Sequence, residues 1–224
     1  MWTYSRIVGC LVAVFFIASC SKSQSSNAEP TNTAAANTQV GSTDANTFRV
    51  DICAEIPTFD PVMAEDWYTY RVINDLYAGL VDFDQANRPI PGMAGSWEIS
   101  SDGTPITASD FVYSWQRLVN PATGSAYAFL LKDVVNAPEI IDGKSAASNL
   151  GVSAPDDKTF IVKLIHPTNA FLSYITTPNV FVVSKAVIEK YGESWTQPQD
   201  IVTSGAYILK EHVMNGYILA TKNP

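Results

Sequence analysis

Asp102-Gly103-Thr104-Pro105-Ile106-Thr107-Ala108-Ser109-Asp110-Phe111-Val112-Tyr113-Ser114-Trp115-Gln116-Arg117 reads as a turn that feeds a helix. Thr107 with Asp110 three residues on is a capping box, and it sets the helix over roughly residues 108–119. Phe111, Trp115 and Leu118 recur at i, i+4 and i+7, which marks one buried stripe. Asn120-Pro121 ends the helix, because the residue before a proline leaves the helical region. On the C-terminal side, 125–141 reads as helical or irregular. Lys158–Ile165 then alternates as a strand, with Phe160, Val162 and Leu164 on one face and His166-Pro167 as its stop. A short helix fits 184–191, with Gly192 after it. Ala206–Val213 and Tyr217–Thr221 form a hairpin around Met214-Asn215-Gly216.

On the N-terminal side, Gly95-Ser96-Trp97-Glu98-Ile99 reads as extended, 87–92 as a proline-containing loop and 80–83 as a short strand. A helix runs from about Asp66 to Ala78, with Tyr70, Ile73, Leu76 and Tyr77 on one side and Gly79 as its stop. Thr47-Phe48-Arg49-Val50-Asp51-Ile52-Cys53 alternates as a further strand. Helices and strands are interspersed, so a mixed α/β architecture with flanking helices is expected.

The first twenty residues read as an address. Arg6 is followed by the apolar run 7–18, too short to span a bilayer comfortably and of signal-peptide length. Ile17-Ala18-Ser19-Cys20 then resembles the lipobox of bacterial lipoproteins. Removal of 1–19 and lipidation of Cys20 are the expectation, with acyl chains holding the protein to a membrane outside the cytoplasm. Ser, Thr, Asn and Ala dominate 21–46, and Val40 is the only bulky apolar residue there. Such a segment is a disordered tether.

Composition excludes several function classes. With 14 Lys and Arg against 22 Asp and Glu, the net charge is −8, which argues against nucleic-acid binding. Cys53 is the sole cysteine beyond Cys20, so the folded part forms no internal disulfide, and Cys53 reads as a small buried hydrophobe. No Cys/His cluster of metal-binding spacing occurs, and no phosphate-binding or nucleophile-elbow motif. His166, His212 and the neighbouring pair Asp156-Asp157 are lone polar residues, so no catalytic group, cofactor or metal is assigned. Trp67, Tyr68, Tyr70, Tyr127 and Phe129 include aromatics flanked by small or turn residues, the kind that line clefts.

Several segments resemble the oligopeptide-binding proteins of bacterial ABC importers, the extracytoplasmic solute-binding family 5. They are Thr58-Phe59-Asp60-Pro61, 75–80 (DLYAGL), 91–98 (PGMAGSWE), the 102–117 stretch quoted first, Trp195-Thr196-Gln197-Pro198 and Gly205-Ala206-Tyr207. They stand in family order from about Thr47 onward. The resemblance implies part of a two-lobed clamshell, with 47–77 and 184–224 in the first lobe and 78–183 in an extra domain. It implies capture of extended oligopeptides through their backbones and delivery to permease subunits, by a monomer. Glu65 and Trp67 match positions along the peptide backbone, with Asp66 between them, and Tyr127 matches an aromatic contact. Trp67 stands where a smaller aliphatic is usual, and its backbone is expected to offer a strand edge.

Two departures accompany the resemblance. A β-hairpin usual between Trp97 and Thr104 looks deleted between two copies of Asp-Gly. Nothing after Pro224 corresponds to the second lobe, so weak peptide binding is expected. The competing readings are an interaction protein that docks on a permease without ligand, and an envelope enzyme using Asp156, Asp157 or His166.

Overall fold

The capping box at Thr107 forms as its spacing requires. In the computed structural model, which describes residues 49–95, 105–168 and 170–223, the Asp110 carboxylate accepts from the Thr107 N–H at 2.8 Å and its hydroxyl at 2.9 Å. Helix α2 (Ala108–Val119) follows. Its stripe of Phe111, Trp115 and Leu118 is buried, with Ser114 between them. Ser114 Oγ donates to Asp110 O and accepts from Val183 N–H at 3.0 Å, which ties the helix to the chain 69 residues on.

Helix α1 (Trp67–Leu76) starts at Asp66 and buries Val72, Ile73 and Leu76. Three short helices complete the set: α3 (Ala137–Ile141), α4 (Phe171–Tyr174) and α5 (Lys185–Tyr191), the last capped by Ser184. The strands form three separate antiparallel pairs: β1–β2 (Val81–Phe83, Pro89–Pro91), β3–β4 (Val152–Asp156, Thr159–Val162) and β5–β6 (Tyr207–Val213, Tyr217–Lys222). Residues 50–223 lie in one compact unit with a main core running from Ile56 to Leu209. Trp115 sits inside it, its ring edge-on to Phe160 at 5.0 Å and Phe171 at 6.1 Å.

Gly205 shows why a glycine stands before Ala206-Tyr207. Its N–H donates to Leu76 O at 2.8 Å, and a Cβ there would lie 2.6 Å from Tyr77 N. The end of α1 and the start of β5 touch backbone to backbone.

Four readings need correction. Residues 49–53 are not a strand, since Cys53 has φ +62°, a left-handed conformation that ends an extended run. Cys53 is also exposed, not buried. The 87–92 loop contains strand β2, which among the described residues pairs with β1 alone, so its two prolines sit at a sheet edge. The 158–165 strand is real over Thr159–Val162, and its partner β3, which contains Pro155, was not foreseen. The signal and lipobox residues 1–20, the tether 21–46, the 96–99 extended piece and the hairpin deletion near 97–104 lie outside the described residues. No helix among the described residues is long and apolar enough to cross a membrane.

The β5–β6 hairpin is clasped at its turn by Glu55. The carboxylate accepts from His212 Nε2 at 2.7 Å and from Asn215 N–H at 2.5 Å. The Asn215 bond first, then His212, holds the Glu55 carboxyl below its ordinary 4.5. A carboxyl depressed in the folded state stabilises the fold above its unfolded pKa and loses that contribution as pH falls through the folded value. The melting temperature is therefore expected to fall on acidification between about pH 5 and pH 3, and less steeply in Glu55→Gln. Identical slopes in the two proteins would show that the clasp adds nothing.

Candidate functional site

The site is built from Thr58 to Tyr70. Thr58 Oγ1 accepts from the Asp60 N–H, and Asp60 Oδ1 accepts from the Val62 N–H, which caps a 3₁₀ turn at Pro61–Met63. Ala64 and Asp66 are extended (ψ 131° and 160°), and the helix then begins. Glu65 is exposed between them. Among the described residues its N–H and C=O meet no hydrogen-bond partner.

Asp66 has a defined local task. Its Oδ1 accepts from the Thr69 N–H at 2.8 Å and its Oδ2 from the Thr69 hydroxyl at 2.7 Å. Trp67 is the first residue of α1, so its backbone is helical and is not the extended edge expected of it. Its side chain is 85% exposed, so what it offers is the indole.

The structure joins Trp67 to Tyr127 through residues between them. Rings follow one another from Trp67 to Tyr70 (6.4 Å), Tyr70 to Tyr127 (6.1 Å) and Tyr127 to Phe129 (5.7 Å). Tyr127 heads a 3₁₀ turn at Ala128–Leu131. Ser125 Oγ receives the Tyr127 N–H and donates to Val62 O at 2.6 Å, so the loop carrying Tyr127 is tied to the turn below Glu65. Trp67 and Tyr127 thus belong to one ring strip, and Glu65 stands exposed two residues before Trp67.

Asn179 has no signal in the sequence, because an asparagine in Thr177-Pro178-Asn179-Val180 carries no local pattern; Tyr70 stands among the cleft-type aromatics but its distant partner is not legible. Tyr70 Oη donates to Asn179 Oδ1 at 2.9 Å. Burial first, then the Tyr127 hydroxyl, holds the Tyr70 phenol well above its ordinary 10.0, so it stays a donor in neutral solution. Asn179 Nδ2 donates to Pro61 O and Ala64 O, each at 2.9 Å.

The remaining candidates are dispersed. Asp156 accepts from the Lys158 N–H within the β3–β4 turn, and His212 belongs to the Glu55 clasp. No group of three metal-ligating side chains is found among the described residues. An open groove of about 870 Å³ lies elsewhere, bordered by Asn74, Asp82, Phe83, Thr176, Ser204 and Asn223, and includes none of the predicted site residues.

Similarity to known proteins agrees with this arrangement. The periplasmic oligopeptide-binding protein OppA of Salmonella typhimurium is 43% identical over 188 residues, which is 76% of this chain and 35% of that protein. The periplasmic murein peptide-binding protein MppA of Escherichia coli is 38% identical, over 75% of this chain and 34% of its own length. Haemophilus influenzae OppA in complex with RPPGFSPFR superposes with a TM-score of 0.74 at 37% identity, over 78% of this chain and 37% of that one. The chain therefore spans about a third of the length of these relatives. Residues 101–224 match the family described as "Bacterial extracellular solute-binding proteins, family 5 Middle". The part of the fold seen here is that of two-lobed peptide-binding proteins, and the chain belongs to the family 5 solute-binding proteins.

Proposed function

We propose that this chain supplies one wall of a cleft that holds an extended oligopeptide, in a binding protein that delivers its ligand to an ABC permease. The observation that carries this reading is the Glu65 N–H and C=O, without a hydrogen-bond partner among the described residues, between the extended residues Ala64 and Asp66 and next in sequence to a ring strip running from Trp67 to Phe129. Main-chain groups give affinity without regard to sequence, while side chains rest on an adaptable surface. The Glu65 carboxylate receives a peptide amide or a basic side chain. Trp67 and Tyr127 give contact area at little entropic cost. Asp66 acts through the helix cap that sets the angle between Glu65 and Trp67.

The wider arrangement rests on the same relatives, which are solute-binding transport proteins. Residues 47–77 and 184–224 serve as first-lobe segments and 78–183 as the extra domain. Closure of two lobes on the peptide is the signal that the permease reads. Residues 1–19 export the chain, and Cys20 carries its lipid anchor, in keeping with the apolar run and the lipobox that follows it.

A thermal melt of the full chain with RPPGFSPFR tests the reading. Ligand at a hundred times its Kd stabilises the native state by about 2.7 kcal/mol, so the melt is expected to move upward with peptide. Trp67→Ala is expected to weaken binding about tenfold through lost ring contact, with the ligand-free melt unchanged because the side chain stands in solvent. A melt that ignores the peptide overturns the proposal, as does a Trp67→Ala protein that binds as the parent does.

A further inference from the structure

Asn179 is buried behind the proposed peptide surface and bonds both to the turn before Glu65 and to Tyr70 in the ring strip. Its side chain is buried, 1% exposed, in the 3₁₀ turn Pro178–Val180. Both amide protons go to main-chain carbonyls, of Pro61 and Ala64, and the amide oxygen receives the Tyr70 hydroxyl. The orientation is unambiguous. A flipped amide would turn its oxygen toward two carbonyl oxygens, neither of which can donate.

The two carbonyls bracket the turn that ends at Glu65. Pro61 O also accepts the Ala64 N–H, so Asn179 grips the turn where it closes on itself. Tyr70 is the ring that bridges Trp67 to Tyr127. One buried amide therefore sets the height of the main-chain edge and the tilt of the ring strip together. The proposal rests on the peptide-binding reading above: we propose that Asn179 is a positioning residue for ligand, coupling the backbone edge at Glu65 to the aromatic strip through Tyr70.

The coupling predicts separable effects from two variants. Asn179→Leu keeps the volume and removes all three bonds. Tyr70→Phe removes only the hydroxyl and leaves Pro61 and Ala64 held. The full-length chain is compared by amide hydrogen exchange and by calorimetry with two probes. Tetra-alanine presents a backbone and little else; RPPGFSPFR adds rings and charge.

Asn179→Leu is expected to speed exchange of the Val62, Met63 and Ala64 amides by about tenfold while Trp115 and Leu118 in α2 exchange as before. It is expected to weaken both probes about tenfold. Tyr70→Phe is expected to leave exchange at 62–64 unchanged and to weaken RPPGFSPFR more than tetra-alanine. Unchanged exchange at 62–64 in Asn179→Leu overturns the proposal, and so does unchanged tetra-alanine binding. If Asn179→Leu does not fold, Tyr70→Phe decides, and equal weakening of both probes counts against the coupling. If the parent chain binds neither probe, the peptide reading fails by itself. Exchange then judges Asn179 separately: faster exchange at 62–64 alone keeps its positioning role, and unchanged exchange removes it.

Discussion

Arg117→Leu is expected to lower folding stability by about 3–5 kcal/mol, the range for breaking a buried ion pair by removing one partner. Asp60 and Arg117 meet in a two-pronged pair, Nη1 to Oδ1 at 2.9 Å and Nη2 to Oδ2 at 2.5 Å, with side chains 8% and 16% exposed. The guanidinium also lies over the Trp195 ring, 5.8 Å from its centre. Leucine fills the space but leaves the Asp60 carboxylate charged, buried and bonded to the Val62 N–H alone. The damage from Asp60→Ala is expected to be similar, with a second component: the turn at Pro61–Met63 loses its cap. Denaturant unfolding of the two single variants and the double variant measures the pair. The double variant is expected to lose much less than the sum of the singles, because the second substitution removes the stranded charge. Strict additivity would mean the two side chains act independently and would overturn this account. Asp60 caps the same turn whose Pro61 and Ala64 carbonyls Asn179 holds.

What could be seen in the sequence is what local chemistry dictates. Thr107 and Asp110 are three residues apart and satisfy each other without any distant partner, so the helix at 108–119 was readable to the residue. The turn at Met214-Asn215-Gly216 was readable for the same reason: Asn215 adopts φ +55°, which asparagine tolerates. Long-range pairing was not readable. Strand β3 carries Ala154 and Pro155 and looks like a loop until β4 folds against it. Cys53 looked like the end of an alternating strand, and nothing adjacent announces its left-handed backbone.

The candidate site divides along the same line. Glu65, Trp67 and Tyr127 come from family resemblance, and a chain of ring contacts joins the last two. Asn179 and Tyr70, which hold that surface, are separated by 109 residues and meet only in the fold. A supporting residue of this kind has no spacing rule, because its partners are main-chain carbonyls that any sequence supplies. Trp67 shows the reverse error. Resemblance suggested an extended backbone at Trp67, where Asp66 starts a helix.

Trp115→Ala is expected to cost about 3–5 kcal/mol, the range for emptying a fully buried aromatic position. The side chain is 0% exposed and packed between Phe160 and Phe171. Against a typical total of about 5–15 kcal/mol, that loss leaves a marginal fold or none. Trp115→Phe is the more informative change. It keeps an aromatic ring in the pocket and removes the indole N–H, which donates to Val180 O at 3.1 Å. That carbonyl is the last of the turn bearing Asn179 and Ser114 still holds Val183, so the substitution removes one tie between the turn and α2. Its expected stability cost is smaller, about 1–3 kcal/mol from an unsatisfied buried carbonyl and lost ring contact. If the turn is what steadies Glu65, Trp115→Phe should also speed amide exchange at Val62–Ala64 relative to Leu118. A uniform change across the protein would instead make Trp115 a core residue with no directed effect on the site. The connection runs from a tryptophan in the helix interior, through one carbonyl, to an asparagine that holds two more. The Trp115 bond and the two Asn179 bonds can be removed separately, and the consequence of each read as exchange at Val62–Ala64.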